Sequence, residues 1–552
     1  MQDRRTDRVR RVRPTWRIVA VSAFLFALLL GGVFGGRVLA ITDEARDVLR
    51  VYTELVSTVH DTYPTERTYE NLVNASIQGI VRTLDPHTNF LSAAAFDDMR
   101  DRQQSSFSGL GILVGMRNGR LTVITPIEGT PASRLGIRAG DIISSIEGAP
   151  TDSMNVDDAV GKLKGPKGTT VNIEIVRHGL DEPLALEITR AEIPQNTVRY
   201  AYMIGPGTGY VAVSDFNRGT GREVREAIAN LKSQGMERLL LDLRNNGGGL
   251  LDQAVIVSDQ FVPGAGKIVE TRGRTRDSFQ DFHSSDSYED LDLPVVVLVS
   301  DGTASAAEIL AGAIQDHDIG LIVGTPTWGK GLVQTVYSLS YGNGLAVTTA
   351  KYYTPSGRLI QRDYSSWFDY ASYRSSGDNA RPAVEEGDDE RQVFYTDLGR
   401  EVFGEGGIEP DVLVEPQKLA PFIQYLLSRN AFFDFAVQAT ADREIESRDW
   451  QPPPELLDQF REWVLAEELA TSEELDEGFE EDEARQTAVR YVVAEILNSA
   501  FGIEARYQVL AEGDQQIERA LELFDDAADL LARRKSMLEE PGATPKAALG
   551  LH

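Results

Sequence analysis

The chain has 552 residues, a formal net charge of −30, 42% hydrophobic residues and no cysteine. That length implies roughly three or four structural units, and the missing cysteine excludes disulfides, thiolate metal sites and cysteine-nucleophile catalysis. The acidic balance argues against nucleic acid as the main partner, because phosphate binding needs a basic face.

The charge is uneven along the chain. Residues 1–40 begin with a basic head (Arg4, Arg5, Arg8, Arg10, Arg11, Arg13 and Arg17 against Asp3 and Asp7), followed by the uncharged run Ile18–Gly36. Its 19 residues match the ~20 that span a bilayer as a helix. The arginines should stay cytoplasmic and place the rest of the chain outside. A cleaved signal peptide ending at Val38-Leu39-Ala40 is the alternative, and a buried core helix is the bland one. Retention or cleavage both put the body outside the cytoplasm, in a periplasm or cell envelope.

Residues 41–104 read as helices, with Val48, Tyr52, Leu55 and Val56 at helical spacing and a stop at Asp85-Pro86-His87-Thr88. His87 has no ligand-type neighbour in sequence and reads as structural. Residues 105–192 switch to short β runs: Ile112–Val114, Leu121–Ile124, Val171–Val176 and Leu184–Ile188, with one helix over Val156–Leu163. Residues 193–415 alternate strand and helix, which implies an α/β core. Gly209–Val213, Leu239–Leu243 and Pro294–Val299 read as strands, and Glu223–Lys232 as an amphipathic helix. A polar loop is expected at 363–392. Residues 416–552 read as an acidic helical extension; from 441 onward 28 acidic residues face 11 basic ones, more than half of the total excess. It serves oligomerisation, an adaptor partner or a solvated surface.

The chemistry concentrates after the strand at 294–299. Ser305 precedes Glu308 by three residues, the spacing of a capping box. Ser305 is therefore a helix N-cap, or a nucleophile aided by the positive end of the helix dipole. A serine nucleophile needs a base. His317 would fall at the far end of that helix. Lys330 lies between Gly329 and Gly331 behind Trp328, and a desolvated lysine loses pKa and can accept a serine proton. Gln334, four residues on, would hydrogen-bond its amine. A plain surface lysine is the alternative; a phosphate-loop lysine lacks the flanking pattern. The glycine-rich loop Asp242–Gly249 offers bare N–H groups for an oxyanion, or is an ordinary strand-to-helix turn.

Together these residues resemble the C-terminal processing peptidases, or tail-specific proteases, of serine peptidase family S41. The matching motifs are Asp242–Gly249, Thr303–Glu308, Gly329–Gln334, Tyr352–Gly357 and Gly407–Asp411, with Lys330 25 positions after Ser305. Upstream, Leu84–Thr88 and Phe107–Ile112 fit the family's lead-in and the start of its PDZ domain. The likeness covers about 45–415. It implies a crotonase-like α/β catalytic core with an inserted PDZ domain. It also implies that Ser305 is the nucleophile, Lys330 the general base and Gln334 its orienting partner, with an oxyanion hole from the N–H groups of Gly248 and Ala306. Gly109, Leu110, Gly111 and Ile112 would bind the carboxylate of a substrate tail beside a pairing strand edge. No metal or other cofactor is implied. Two positions depart from the family pattern: Asn246-Gly247-Gly248 lacks the proline frequent before the glycine pair, and Lys164 stands where arginine is frequent.

The expected function is thus a serine endopeptidase acting on protein C-termini. A non-catalytic PDZ scaffold of the envelope is the first rival, and an acyl-CoA enzyme on the same core is the second.

Overall fold

The computed structural model describes residues 43–285, 291–363, 392–441 and 445–539. The run Ile18–Gly36 and nearly all of the polar loop at 363–392 lie outside the described residues. Among the described residues no helix is long and apolar enough to cross a membrane.

The chain divides at Leu84. The first unit holds two helices, Asp43–Thr62 and Tyr69–Val81. Thr68 caps the second by accepting the Asn71 N–H, and the His60 ring stacks on Tyr69 at 4.0 Å.

The second unit opens with a short strand, Asn89–Leu91, and a helix, Ala93–Gln103. A small antiparallel sheet follows, ordered Ile112–Arg117, Arg120–Pro126, Ile142–Ile146, Thr170–Val176, Leu184–Thr189. The strand Thr170–Val176 shows why it forms. Val171, Ile173 and Ile175 are buried while Thr170, Asn172 and Glu174 are exposed, a period of two that puts one face on the core. The helix Val156–Leu163 closes this unit; its cap, Asn155, accepts the Asp158 N–H at 2.8 Å.

The largest core is built on a sheet ordered Val198–Gly205, Thr208–Val213, Arg238–Asp242, Val295–Val299, Gly320–Gly324, Val412–Leu413. The first pair is antiparallel and the rest are parallel. Its central strands are continuous apolar runs because both faces are covered. Leu239, Leu241, Val295, Val297 and Val299 point to one layer, with the helices Thr220–Ser233, Leu251–Ser258 and Ala306–Asp316. Leu240, Val296, Leu298 and Val323 point to the other.

That second layer is a finding. It consists of helices from the acidic extension, Gln515–Glu522 and Phe524–Glu539, whose Ile517, Ala520, Leu523, Phe524 and Ala527 pack on the sheet. A further helical cluster lies between 419 and 509. A second, antiparallel sheet joins Asn89–Leu91, Gly344–Tyr353, Lys267–Gly273 and Gln280–His283, with Leu332–Ser338 also paired to Gly344–Tyr353.

Candidate active site

The strand Val295–Val299 leaves the sheet through a turn at residues 300–304. Ser300 N–H donates to Thr303 Oγ1 (2.9 Å), and Thr303 Oγ1 donates to Leu243 O (2.8 Å), which fastens the turn to the loop after the neighbouring strand. The turn delivers Ser305 at φ 57°, ψ −115°. Holding a residue with a Cβ there costs about 1–3 kcal/mol, and the conformation persists only where its surroundings over-determine it. Helix Ala306–Asp316 begins at once, so Ser305 is its N-cap. The Glu308 carboxylate accepts the Ser305 N–H at 2.7 Å. The Ser305 side chain faces the Glu308 N–H in return, the other half of a capping box, and that N–H donates to Ser305 O at 2.9 Å.

Glu308 holds more than the cap. It is fully buried, and it also accepts from Thr327 Oγ1 (2.5 Å), Gly329 N (2.8 Å) and Lys330 N (2.9 Å). One carboxylate therefore gathers the amides of both Ser305 and Lys330. Tyr352, also buried, does the same for their carbonyls: its Oη lies 3.0 Å from Ser305 O and 2.6 Å from Lys330 O, so one proton is shared between two acceptors. Burial pushes the Glu308 carboxyl up from its usual range, against hydrogen bonds that favour the anion.

Burial likewise pushes the Lys330 ammonium below its ordinary 10.5, while the charges of Glu308 and Asp85 resist. Lys330 Nζ donates to Gln334 Oε1 at 3.0 Å, and among the described residues no hydrogen bond joins it to Ser305 Oγ. Shared partners thus hold the backbones of Ser305 and Lys330 to one another, and Gln334 bonds the Lys330 amine.

The glycine loop meets Ser305 from the adjacent strand. Gly248 has φ +94°, and a Cβ there would stand 2.6 Å from Ala304 O, 2.8 Å from Ala306 N and 2.8 Å from Ser305 Cβ. The two residues expected to form an oxyanion hole are therefore neighbours. Their amides differ: Ala306 N–H has no partner among the described residues, whereas Gly248 N–H donates to Asn246 Oδ1 at 2.9 Å. His317 sits at the far end of helix Ala306–Asp316, its ring nitrogens bonded to Asp397 (2.8 Å) and Lys267 O (2.6 Å).

In the small β unit, the carbonyls of Leu110 and Gly111 accept the N–H groups of Ala132 (3.1 Å) and Ile127 (2.9 Å). The Leu110 and Gly111 amides have no partner among the described residues. Gly109 ends the strand Ser106–Gly109, and Ile112 starts the sheet's edge strand, paired on one side only. Lys164 Nζ lies 5.3 Å above the Phe107 ring and 3.8 Å from Asp101. No group of His, Asp and Glu among the described residues is placed to hold a metal ion.

Sequence reading missed three supports. Glu308 was legible only as a cap, and Tyr352 only as part of a motif. His87 showed no neighbour in sequence, yet its carbonyl accepts from Gln334 Nε2 and its ring lies near Lys330.

Residues 207–364 match the profile of Peptidase family S41 and residues 122–177 that of a PDZ domain. The carboxy-terminal-processing protease of Bartonella bacilliformis is 39% identical over 312 residues, covering 56% of this chain and 70% of its own. The carboxy-terminal processing protease CtpA of Bacillus subtilis is 31% identical over 347 residues, covering 62% and 73%. Among solved structures, the photosystem II D1 C-terminal processing protease is 29% identical over 66% of this chain and 86% of its own, at a TM-score of 0.34, a loose global match. The chain belongs to the carboxy-terminal processing proteases, serine-type peptidases of family S41 with a PDZ domain.

Proposed function

We propose that this peptidase is an endopeptidase that captures the C-terminal tails of substrate proteins on its PDZ domain and cleaves them with Ser305 and Lys330. The observation that carries this reading is the shared anchorage of the two residues. Glu308 holds both amides and Tyr352 both carbonyls, around a serine in a strained backbone conformation and a desolvated lysine.

The chemistry follows from those positions. Neutral Lys330 takes the Ser305 proton as Oγ attacks the scissile carbonyl, and returns it to the leaving amine. Ala306 N–H faces the developing oxyanion at the positive end of its helix. Gly248 N–H joins it once released from Asn246. Gln334 accepts from Nζ and keeps a lone pair of the neutral amine aimed at Ser305. No step needs a metal or cofactor. The unit at 105–192 presents the Gly109–Ile112 loop to a tail carboxylate and its edge strand to the peptide, which raises the local concentration of substrate.

The unit at 193–415 is proposed as a crotonase-like core; its parallel sheet with helices on both faces supports that. The basic head and the run Ile18–Gly36 support a place outside the cytoplasmic membrane, tethered or exported. The test is cleavage of a protein with an apolar C-terminal tail. Ser305→Ala and Lys330→Ala should each abolish cleavage and leave tail binding intact. Residual turnover by Ser305→Ala would sink the mechanism.

A further inference from the structure

The base is held by a polar chain that begins outside the catalytic motifs. Lys330 Nζ donates to Gln334 Oε1, and Gln334 Nε2 donates to the backbone carbonyl of His87. A glutamine amide has one accepting and one donating end. With a carbonyl fixed at one side, only the orientation that turns its oxygen toward Lys330 satisfies both ends. The flipped amide would set two N–H donors against an amine and a carbonyl against a carbonyl.

What fixes the His87 carbonyl is a tight turn built on one carboxylate. Asp85 Oδ1 accepts the His87 and Thr88 amides, both at 2.8 Å, and Asp85 Oδ2 accepts Thr88 Oγ1 at 2.8 Å. This is an aspartate side chain organising the backbone that follows it. The turn is then stitched to the strand Gly344–Tyr353. Thr348 Oγ1 donates to Asp85 Oδ1 at 3.2 Å, Thr348 N–H donates to Thr88 Oγ1 at 3.2 Å, and Asn89–Leu91 pair with that strand. Thr348 is also the register partner of Gln334 across the ladder. A bulge between Val333 and Gln334 occurs at that point, and bulges of this kind re-aim a side chain. Turn, strand and glutamine thus close on a single residue.

We propose that the Asp85–Thr88 turn is a positioning element of the catalytic site, which holds the His87 carbonyl so that the Gln334 amide presents its oxygen, and not its NH₂, to Lys330. Asp85 is the keystone of the turn and positions Lys330 through Gln334, while its charge also favours the Lys330 ammonium. The inference rests on the reading of Lys330 as the base.

The experiment is steady-state cleavage of a tailed substrate by the full chain carrying Asp85→Ala, Gln334→Ala, both together, and separately Lys330→Ala. Each of the first two should lower kcat by roughly 10- to 100-fold, as misplaced catalytic groups do, and leave KM within about twofold. The double variant should be no slower than Gln334→Ala alone, because both act on one linkage. Asp85→Asn keeps an oxygen for the two amides and loses the acceptor for Thr88 Oγ1. It should fall between wild type and Asp85→Ala, and it decides the question if the alanine variant fails to fold. Losses that multiply in the double variant, a loss confined to KM, or full activity in Asp85→Asn and Gln334→Ala would overturn the inference. If Lys330→Ala retains activity, the assignment of the base fails first; if it is inactive while the two losses multiply, the inference alone fails.

Discussion

Adding one methyl group at Gly248 should silence the enzyme while leaving it folded. Two costs meet there. The backbone has φ +94°, where a Cβ costs about 1–2 kcal/mol. The new Cβ would also lie 2.6 Å from Ala304 O and 2.8 Å from Ala306 N. Those are backbone atoms of the turn that carries Ser305, so they must move for the methyl to fit. The displaced volume is the space between the Gly248 and Ala306 amides, and losing one oxyanion donor costs roughly 2.7–4 kcal/mol, or about 10²–10³ in kcat. Gly247→Ala is the control, since a Cβ there meets nothing within 4 Å. The assay is continuous cleavage of a fluorogenic peptide with an apolar tail, paired with thermal melts and tail binding. Gly248→Ala should lose kcat and keep its binding, and Gly247→Ala should match wild type. A Gly248→Ala enzyme within about threefold of wild type, or an equal loss in Gly247→Ala, would refute the assignment of this space.

Glu308→Gln removes a carboxylate that accepts from Ser305, Thr327, Gly329 and Lys330. It should cut kcat by about 10² or more, comparable with losing other positioning groups, and lower the melting temperature; unchanged kcat would contradict the shared-anchor reading. The activity should rise with pH, because only neutral Lys330 accepts a proton. Burial lowers its pKa from 10.5, so log(kcat/KM) should level off below that value, and a midpoint at 10.5 or above would contradict its role. Truncation after Ala511 removes Ile517, Leu523 and Phe524 from the sheet; at about 1.5–3 kcal/mol per large apolar side chain this loss should abolish cooperative melting of the core, and an unaltered melt would show that the extension is dispensable. His87 is held neutral, with its pKa pushed down to about 4 by burial and then by Lys330. Its folded value lies below its unfolded one, so its penalty is absent above about pH 6.5 and grows as pH falls toward 4; His87→Gln should flatten the acid-side fall in melting temperature over that window.

How much of this was legible depends on where each signal is stored. The strand Thr170–Val176 and the helix Val156–Leu163 carry their own periodicity and cap, and both occur where the sequence places them. The run Val295–Val299 is legible as a strand. Its division between two layers is not, because a continuously apolar strand carries no mark of which face meets what. The acidic extension hid its role behind its charge: the apolar stripe Ile517, Ala520, Leu523, Phe524, Ala527 is short, yet it packs on one face of the core sheet. At the site, Ser305 and Lys330 were legible through motif and spacing. Glu308 was half legible, since a capping box is local while its other three donors come from residues 327–330. The Asp85–Thr88 turn was legible as a turn, but its link to the site was opaque, because His87 and Gln334 lie 247 positions apart and nothing in either segment names the other.

The most direct test of the central claim is covalent trapping. The full chain is treated with an activated serine-directed acyl or phosphonyl probe, and the modified peptide is located by mass spectrometry. One adduct on Ser305, lost in Lys330→Ala and in Ser305→Ala, is the result expected of a lysine-activated serine. An adduct on another residue, or labelling of Ser305 that is unaffected by Lys330→Ala, would contradict it.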